Sequence, residues 1–121
     1  MVDWDTLSGD IVATDLDGVL CEDGAPSEPL YLPYYKIHQI ITGRPERYRE
    51  YTETWLKIHH VLYDELVMYP GRETMEWETI ARWKAVMYGT SKATVFVESS
   101  FKQSLLVAKL TGKRVIHGGS N

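Results

Sequence analysis

Residues 11–20, Ile-Val-Ala-Thr-Asp-Leu-Asp-Gly-Val-Leu, join a short apolar run to two acids and a glycine. Residues 11–14 are apolar or β-branched, which predicts a buried β-strand. Asp15 and Asp17 follow, and carboxylates at the end of a buried strand are costly unless a cation or hydrogen bonds compensate their lost hydration. Asp-Gly is also a common turn pair, so a simple turn at Gly18 is the alternative interpretation.

The two carboxylates suit one particular chemistry. Mg²⁺ is a hard cation that takes oxygen ligands, and Asp15 is a candidate ligand. In phosphoryl transfer, one carboxylate attacks phosphorus while a second one handles the proton of the leaving group. We therefore regard Asp15 and Asp17 as candidates for a metal and phosphoryl-transfer site.

The composition limits the class of protein. The length of 121 residues predicts a single domain over residues 1–121, and 44% hydrophobic with 25% charged residues is typical of soluble globular proteins. No apolar run approaches the roughly 20 residues that a membrane-spanning helix needs, and the N-terminus lacks the pattern of a signal peptide. A lone Cys21 excludes an internal disulfide, so we expect a reducing cytoplasm and a packing role for this thiol.

The charge and histidine patterns exclude two kinds of site. The net charge is −4 without a basic block, which argues against extended nucleic-acid binding and leaves only a phosphorylated end as a nucleic-acid ligand. The four histidines have no metal-ligand spacing. We assign them no role.

Strand and helix patterns alternate along the chain. Strands are predicted over residues 36–42, 66–69, 94–97 and 114–116. A helix after Pro45 has an apolar stripe, and two further helices are predicted over residues 74–88 and 100–110; the stripe comprises Tyr48, Tyr51, Trp55 and Leu56. The alternation predicts an α/β fold, a Rossmann-like parallel sheet with helices on both faces.

Three polar residues close predicted strands of this sheet. In parallel sheets, ligands bind outside the carboxyl ends of the strands. Asp15, Thr42 and Glu98 stand at those ends, although they are far apart in sequence. We therefore expect them to meet at one edge of the sheet.

The connection at residues 22–36 contains Pro26, Pro29 and Pro33, which predicts an irregular loop. It also contains three tyrosines, for which packing onto the core is favoured over contact with a substrate; these are Tyr31, Tyr34 and Tyr35. Fifteen residues are too few to fold as a separate domain.

The segment Thr42-Gly43-Arg44 is a candidate phosphate-binding turn. A hydroxyl at a strand end followed by glycine lets backbone N–H groups approach a phosphate, and the next helix start adds a favourable dipole. Arg44 is either a bidentate contact to substrate or a solvated residue at the helix start. A simple strand-to-helix turn is the alternative for the whole segment.

Lys84 is unusual because it falls in the middle of the apolar stripe of the helix predicted over residues 74–88. A lysine on a buried face needs an anionic partner or a path for its ammonium group to reach water. A salt link to Asp15 and to a bound phosphoryl group is the functional interpretation. Lys92, before the next strand, is the second candidate for the same role.

Four segments together resemble the motifs of the haloacid dehalogenase-like (HAD) phosphatases: Asp-Leu-Asp-Gly-Val-Leu, Thr-Gly-Arg, a helical lysine and Val-Phe-Val-Glu-Ser-Ser. The resemblance implies that Asp15 is the nucleophile, that Asp17 is the general acid and base, and that Thr42 and Lys84 bind the phosphoryl group. It also implies Mg²⁺ bound by Asp15, the Asp17 carbonyl and Glu98. Many family members insert a cap domain after the first motif, and the short connection here implies a protein without one.

Two features distinguish this chain from the commonest HAD pattern. Ser99 stands where a second acid often occurs, so Glu98 is the single carboxylate of the fourth motif. Glu-Pro-Leu-Tyr-Leu-Pro, Arg-Tyr-Arg-Glu-Tyr-Thr-Glu-Thr-Trp-Leu and Phe-Val-Glu-Ser-Ser-Phe-Lys-Gln also resemble a subgroup of small HAD domains that are often fused to phosphoribosyltransferases. A chain of 121 residues has no room for the transferase, so we expect the domain to stand alone.

The sequence thus favours a cap-less, Mg²⁺-dependent phosphohydrolase that cleaves a small phosphomonoester, such as a nucleotide or a phosphosugar, through an aspartyl-phosphate. Three alternatives stay open. One is a phosphatase that acts on a phosphorylated end of a macromolecule, and another is a binding or regulatory module that has lost turnover. The third is a partner subunit of a phosphoribosyltransferase, and a homo-oligomer is compatible with all of these.

Overall fold

A computed structural model describes residues 2–23 and 27–119 of the chain. It contains one five-stranded, fully parallel sheet with the strand order β3-β2-β1-β4-β5. The elements are β1 (Val12–Thr14), β2 (Ile37–Pro45), α1 (Arg49–Ile58), β3 (Tyr63–Tyr69), α2 (Trp77–Gly89), β4 (Val95–Glu98), α3 (Phe101–Thr111) and β5 (Val115–His117). The predicted α/β class and Rossmann-like parallel sheet are confirmed.

The shortest interior strand, β1, lies at the centre of the sheet. Ala13 pairs with Gln39 of β2 on one side and with Phe96 of β4 on the other. The chain builds outward through β2 to β3 and then crosses back to place β4 on the other side of β1. The carboxyl end of β1 therefore lies at the point where the strand order reverses, which is where parallel sheets bind ligands.

Side chains of alternate residues on the central strands pack into two separate apolar cores, one on each face of the sheet. Val12 and Ile40 point to the face that is covered by Trp55 and Leu56 of α1. Neighbouring strand residues point to the face that is covered by α2 and α3; they include Ala13, Ile41 and Phe96. Both sides of the sheet are therefore buried, as the apolar runs of β1 and β4 require.

The N-terminal residues contribute to the core. A 3₁₀ helix at Trp4–Leu7 buries Trp4 and Leu7, and Val2 is buried beside them. The Trp4 indole N–H donates to the carbonyl of Tyr31 at 2.8 Å. The short spacing of Val2, Trp4 and Leu7 in the sequence is the feature that could have predicted this packing.

The boundary between β2 and α1 differs from the prediction. β2 continues beyond Thr42 to Pro45, which pairs with Tyr69 across an irregularity in the register. A 3₁₀ turn at Glu46–Tyr48 then leads into α1. The pairing with β3 keeps Gly43 and the following residues extended, so the helix starts later than the position of the proline suggests.

The described part of the connection at residues 22–36 forms no helix and no strand, as predicted. Pro26 lies outside the described residues. Tyr35 packs against the first core and its hydroxyl donates to the carbonyl of Trp4 at 2.6 Å. Tyr31 and Tyr34 are exposed instead, so the packing interpretation is wrong for these two. Within the described residues, no helix is long and apolar enough to cross a membrane.

Candidate active site at the carboxyl ends of the strands

Asp15, Lys84 and Glu98 form a buried charged cluster beside the carboxyl ends of β1 and β4. Lys84 Nζ donates to Glu98 Oε1 at 2.8 Å and lies 3.3 Å from Asp15 Oδ1. Asp15 comes directly after β1, and Glu98 is the last residue of β4. Their side chains are 8% and 1% exposed, and that of Lys84 is 4% exposed. The pairing of adjacent parallel strands therefore places two carboxylates around one ammonium group.

Lys84 reaches this cluster from the buried face of α2. Ile80, Ala81, Ala85 and Tyr88 line the same face and fix the helix against the sheet. This agrees with the predicted position of the lysine within an apolar stripe. Lys84 has the anionic partner Asp15 rather than a path to water, as the functional interpretation required. Its contact with a phosphoryl group remains a prediction.

The electrostatics of the cluster are unbalanced. Burial raises the pKa of Asp15 well above its ordinary value, and the adjacent Glu98 carboxylate raises it further, while Lys84 counteracts both only in part. Burial lowers the pKa of Lys84, but the two carboxylates outweigh burial and leave that pKa raised. With all three groups ionised, the cluster carries one excess negative charge. A bound cation would neutralise that charge.

Asp17 lies in a different environment, because its side chain pairs with Arg44. Arg44 Nε donates to Asp17 Oδ2 at 2.9 Å, and Arg44 Nη2 donates to Asp17 Oδ1 at 2.7 Å. Arg44 also donates to Thr52 Oγ1 of α1 at 3.2 Å. The Arg44 side chain is only 17% exposed. It is therefore not a solvated residue at a helix start, and its bidentate partner is Asp17.

Gly18 and Ser99 shape the turn that carries the two aspartates. Gly18 has a φ of +85°, and a β-carbon at this position would lie 2.6 Å from Ser99 Oγ. Ser99 Oγ donates to the Asp17 carbonyl at 3.1 Å and lies 3.4 Å from Asp15 Oδ2. Ser99 therefore contacts both Asp15 and Asp17, a role that the sequence did not predict.

Glu98 also connects the cluster to the start of α3. Its Oε2 accepts the backbone N–H of Ser100 at 2.9 Å, and Ser100 Oγ accepts the backbone N–H of Gln103 at 3.2 Å. Ser100 is the N-cap of α3. The orientation of Glu98 is therefore set from two sides, by Lys84 and by the helix start.

Thr42 and Gly43 lie on β2, the other neighbour of β1. Thr42 is fully buried, and its Oγ1 accepts the backbone N–H of Arg44 at 3.1 Å. Gly43 lines a cleft beside the buried charged cluster, which we call the acidic cleft, whereas Thr42 does not. A β-carbon on Gly43 would lie 3.1 Å from Ile80 of α2, so a glycine suits this close approach. Phosphoryl binding by Thr42 and Gly43 remains a prediction.

The acidic cleft has a volume of about 330 Å³ and opens above this group of residues. Its lining includes both aspartates, Arg44, Lys84, Glu98 and Ser99, so every predicted site residue except Thr42 faces one space. Asp23 lines it as well, a residue that the sequence analysis did not single out. Asp15 and Glu98 therefore meet at one cleft as predicted, whereas Thr42, the third residue of that prediction, does not line it.

The oxygen donors fit a hard cation. No group of three or more His, Cys, Asp or Glu side chains in residues 2–23 and 27–119 forms a metal-holding cluster. Two carboxylates, Asp15 and Glu98, face the cleft together, and the Asp17 carbonyl lies beside them. Mg²⁺ needs few protein carboxylates because it retains several waters, so these oxygens suit it.

Two residues considered from the sequence do not take part. Lys92 is exposed and lines a separate cleft with Lys36, His38 and Asp64 at the amino end of the sheet, so its candidacy as the site lysine is wrong. Cys21 is fully buried with a free thiol, as the packing interpretation expected. Burial, assisted by the Asp17 carboxylate, raises the pKa of Cys21 to about 12.

A second, larger cleft of about 1130 Å³ adjoins the acidic cleft. The two clefts share Asp17, Asp23, Gly43 and Arg44. Tyr48, Tyr51, Glu73 and Met75 line only the larger one, which we call the tyrosine cleft. The sequence predicted Tyr48 and Tyr51 in the apolar stripe of the helix expected after Pro45, but both are exposed. Trp55 and Leu56 of the same stripe are buried as predicted.

Comparisons with known proteins show the fold. The chain is similar to a chain in the structure of the Pnkp1/Rnl/Hen1 RNA repair complex, with a TM-score of 0.68 and 18% sequence identity. The similarity covers 88% of this chain and 41% of that one, so this chain spans less than half of the neighbour's length. No family model and no curated protein match the sequence. The two chains therefore share an α/β fold.

Proposed function

We propose that the protein is an Mg²⁺-dependent phosphomonoesterase of the HAD type that works through an aspartyl-phosphate. The observation that carries the proposal is the buried cluster of Asp15, Lys84 and Glu98 at the carboxyl end of the central strand. A structural ion pair needs one carboxylate, whereas two buried carboxylates around one lysine leave one negative charge, which a bound cation would neutralise.

The first step is attack of an Asp15 carboxylate oxygen on phosphorus. A new bond forms between Asp15 and phosphorus, and the bond from phosphorus to the leaving oxygen breaks. Asp17 delivers a proton to the leaving oxygen. Lys84 neutralises charge on the phosphoryl oxygens, and backbone N–H groups near Gly43 position them.

The second step is hydrolysis of the aspartyl-phosphate. Asp17, now a carboxylate, removes a proton from water, and the water oxygen forms a bond to phosphorus. The bond between Asp15 and phosphorus breaks, which releases inorganic phosphate and restores the Asp15 carboxylate. Mg²⁺, held by Asp15, Glu98 and the Asp17 carbonyl, would supply positive charge that offsets the charge of the phosphoryl oxygens.

Arg44 adds a requirement to this mechanism. Both carboxylate oxygens of Asp17 accept hydrogen bonds from Arg44, so a proton on either oxygen would face a hydrogen-bond donor. Asp17 therefore has to loosen its contact with Arg44 when it carries a proton. Since both residues border the tyrosine cleft, an entering substrate meets this pair directly.

One observation favours a second candidate function, a phosphatase that acts on a nucleic-acid end. The structural neighbour belongs to an RNA repair complex. At 18% identity the neighbour supports the fold alone, and the charge of −4 argues against long nucleic-acid contacts. We place this candidate second, ahead of a module without turnover and of a partner for a phosphoribosyltransferase.

The test is release of inorganic phosphate from an aryl phosphate, with Mg²⁺ and with a chelator, by the wild type and by Asp15→Asn. Asp64→Asn is the matched control, because Asp64 is an exposed acid that pairs with Lys36 at the other end of the sheet. We expect turnover that needs Mg²⁺, persists in the control and is lost in Asp15→Asn.

Mass spectrometry after rapid quenching provides an independent measurement. We expect a phosphoryl adduct on the peptide that contains Asp15 in the wild type and none in Asp15→Asn. Mg²⁺ binding without phosphate release from aryl, nucleotide or sugar phosphates would contradict the proposal and favour a binding module. Release from a terminally phosphorylated oligonucleotide alone would favour the second candidate.

A further inference from the structure

The tyrosine cleft is continuous with the acidic cleft but differs from it in chemistry. Arg44 and Asp17 form the boundary between them. Beyond that boundary the cleft is lined by tyrosine rings and a methionine, and Met75 is fully exposed. Its volume of about 1130 Å³ is several times the 330 Å³ of the acidic cleft. A phosphoryl group fills only the smaller space, so the larger one is available to the rest of a substrate.

Tyr48 and Tyr51 have different contacts within this cleft. The Tyr48 hydroxyl donates to Glu73 Oε1 at 2.6 Å, and the Arg47 guanidinium carbon lies 4.8 Å from the centre of the Tyr48 ring. Tyr48 is therefore held in place. Tyr51 is 52% exposed and has no hydrogen bond or ring contact with the other described residues. Its ring is the one that is available for stacking.

The position of Tyr51 is fixed relative to the phosphoryl site. Tyr51 lies in the first turn of α1, and the next residue, Thr52, is fully buried and accepts a hydrogen bond from Arg44. The same arginine holds Asp17. A short chain of contacts therefore connects the start of α1, and with it Tyr51, to the candidate acid and base.

The charges of the cleft limit the ligand further. Glu73 and Asp23 line it, and Arg47 is already paired with Glu73 at 2.7 Å. Arg44 is paired with Asp17. The described lining therefore offers carboxylates that accept hydrogen bonds from amino and hydroxyl groups, and no unpaired cation for additional phosphates. A ligand with a single phosphate, a planar ring and hydrogen-bond donors fits these features.

We propose that the tyrosine cleft binds the nucleoside part of a nucleoside monophosphate, with the base stacked on Tyr51 and the phosphate in the acidic cleft. This rests on the proposed function and specifies its substrate class. Stacking on an aromatic ring tolerates different bases, since every base has a π-face. A sugar phosphate has no planar ring and would leave Tyr51 and Met75 exposed to water.

The test measures binding by titration calorimetry, with Mg²⁺ present and in an Asp15→Asn background that blocks turnover. The ligands are adenosine 5′-monophosphate, ribose 5-phosphate and a 5′-phosphorylated oligonucleotide. Tyr51→Ala removes the ring, Tyr51→Phe keeps it, and Tyr34→Ala is the matched control, because Tyr34 is an exposed tyrosine on a different cleft.

We expect the adenosine nucleotide to bind about tenfold more tightly than ribose 5-phosphate, and Tyr51→Ala to remove this difference. Tyr51→Phe and Tyr34→Ala should retain it. Comparison with the oligonucleotide then identifies the source of the nucleoside, a free nucleotide or a nucleic-acid end. Equal binding of the two small phosphates, no binding of either, or a preference that survives in Tyr51→Ala would each overturn the proposal.

Failure of the proposed function gives a different result. A Tyr51-dependent nucleotide preference, combined with a wild type that releases no phosphate, would reject hydrolysis and leave the nucleoside site intact. Phosphate release from all small phosphates with no effect of Tyr51→Ala would reject only the nucleoside site.

Discussion

Asp15 and Asp17 are two residues apart, yet the fold gives them opposite surroundings. Asp15 is 8% exposed, faces a buried lysine and shares it with a second carboxylate. Asp17 is 27% exposed and accepts two hydrogen bonds from Arg44. The first carboxylate lies in a site with too little positive charge, whereas the second is already neutralised by its partner.

This difference shows how one short motif can provide two chemical roles. Two neighbouring carboxylates with the same surroundings would compete for the same proton and cation. The turn at Gly18 separates them, since Asp15 remains at the end of the buried strand while Asp17 reaches toward the cleft. Environments that differ in this way are how enzymes assign separate tasks to paired carboxylates.

Among these variants, removal of the Lys84 ammonium group should lower the stability of the protein most. Lys84→Met leaves Asp15 and Glu98 buried side by side without a cation, and we expect a loss of about 3–5 kcal/mol in unfolding free energy. Urea unfolding in the absence of divalent cations measures it. Lys92→Met is the matched control and should change stability by less than about 0.5 kcal/mol. Equal losses in both variants would contradict the charge imbalance described for the cluster.

Gly18→Ala tests the turn that separates the two aspartates. The positive φ and the contact with Ser99 Oγ both oppose a β-carbon, so we expect a loss of about 2–3 kcal/mol in unfolding free energy. Gly9→Ala is the control, because a β-carbon there meets nothing within 4 Å. Combination with Ser99→Gly should restore part of the loss. An unchanged stability of Gly18→Ala would show that the turn has another conformation.

Replacement of Arg44 should have a smaller effect on stability than replacement of Lys84. Arg44→Met breaks a pair that is partly exposed, so we expect a loss of about 2 kcal/mol, between the values for surface and buried pairs. Arg44→Lys keeps the charge but not the bidentate geometry, and should recover only part of the loss. Urea unfolding of the three proteins checks this order. A loss in Arg44→Met as large as that in Lys84→Met would remove the distinction between the two carboxylates.

The Cys21 thiol should react very little with an alkylating reagent in the folded protein. Its thiol is fully buried and its pKa is raised to about 12, so about one thiol in ten thousand is ionised at pH 8. We expect an alkylating reagent to modify the folded protein far more slowly than the protein in denaturant. Mass spectrometry over time measures both rates. Rapid modification of the folded protein would mean that the region behind Asp17 opens readily.

Local patterns in the sequence were sufficient for much of the fold. The apolar run before Asp15, the helical stripe around Lys84 and the helix predicted from residue 100 depend on neighbours within a few residues, and the structure agrees with each of them. Parallel strands place their carboxyl ends at one edge, so the proximity of Asp15 and Glu98 also followed from the pattern.

Contacts between distant segments could not be predicted in the same way. The partner of Asp17 is 27 positions away, and it reaches Asp17 because β2 continues past Thr42 with an irregular register. The exposure of Tyr48 and Tyr51 has a similar origin. Their spacing fits an apolar stripe, but the apolar core includes only Trp55 and Leu56 of that stripe and leaves both tyrosine rings exposed.

The sequence by itself determined the parallel α/β class, the acidic strand end and the lysine that faces it, because periodicity and residue chemistry are local properties. Only the tertiary structure decided the strand order, the pairing of Asp17 with Arg44 and the tyrosine cleft beside them. These features depend on which surfaces remain exposed after the sheet and helices pack. Which surfaces are exposed depends on the whole chain, because each surface is buried by segments that are distant in sequence.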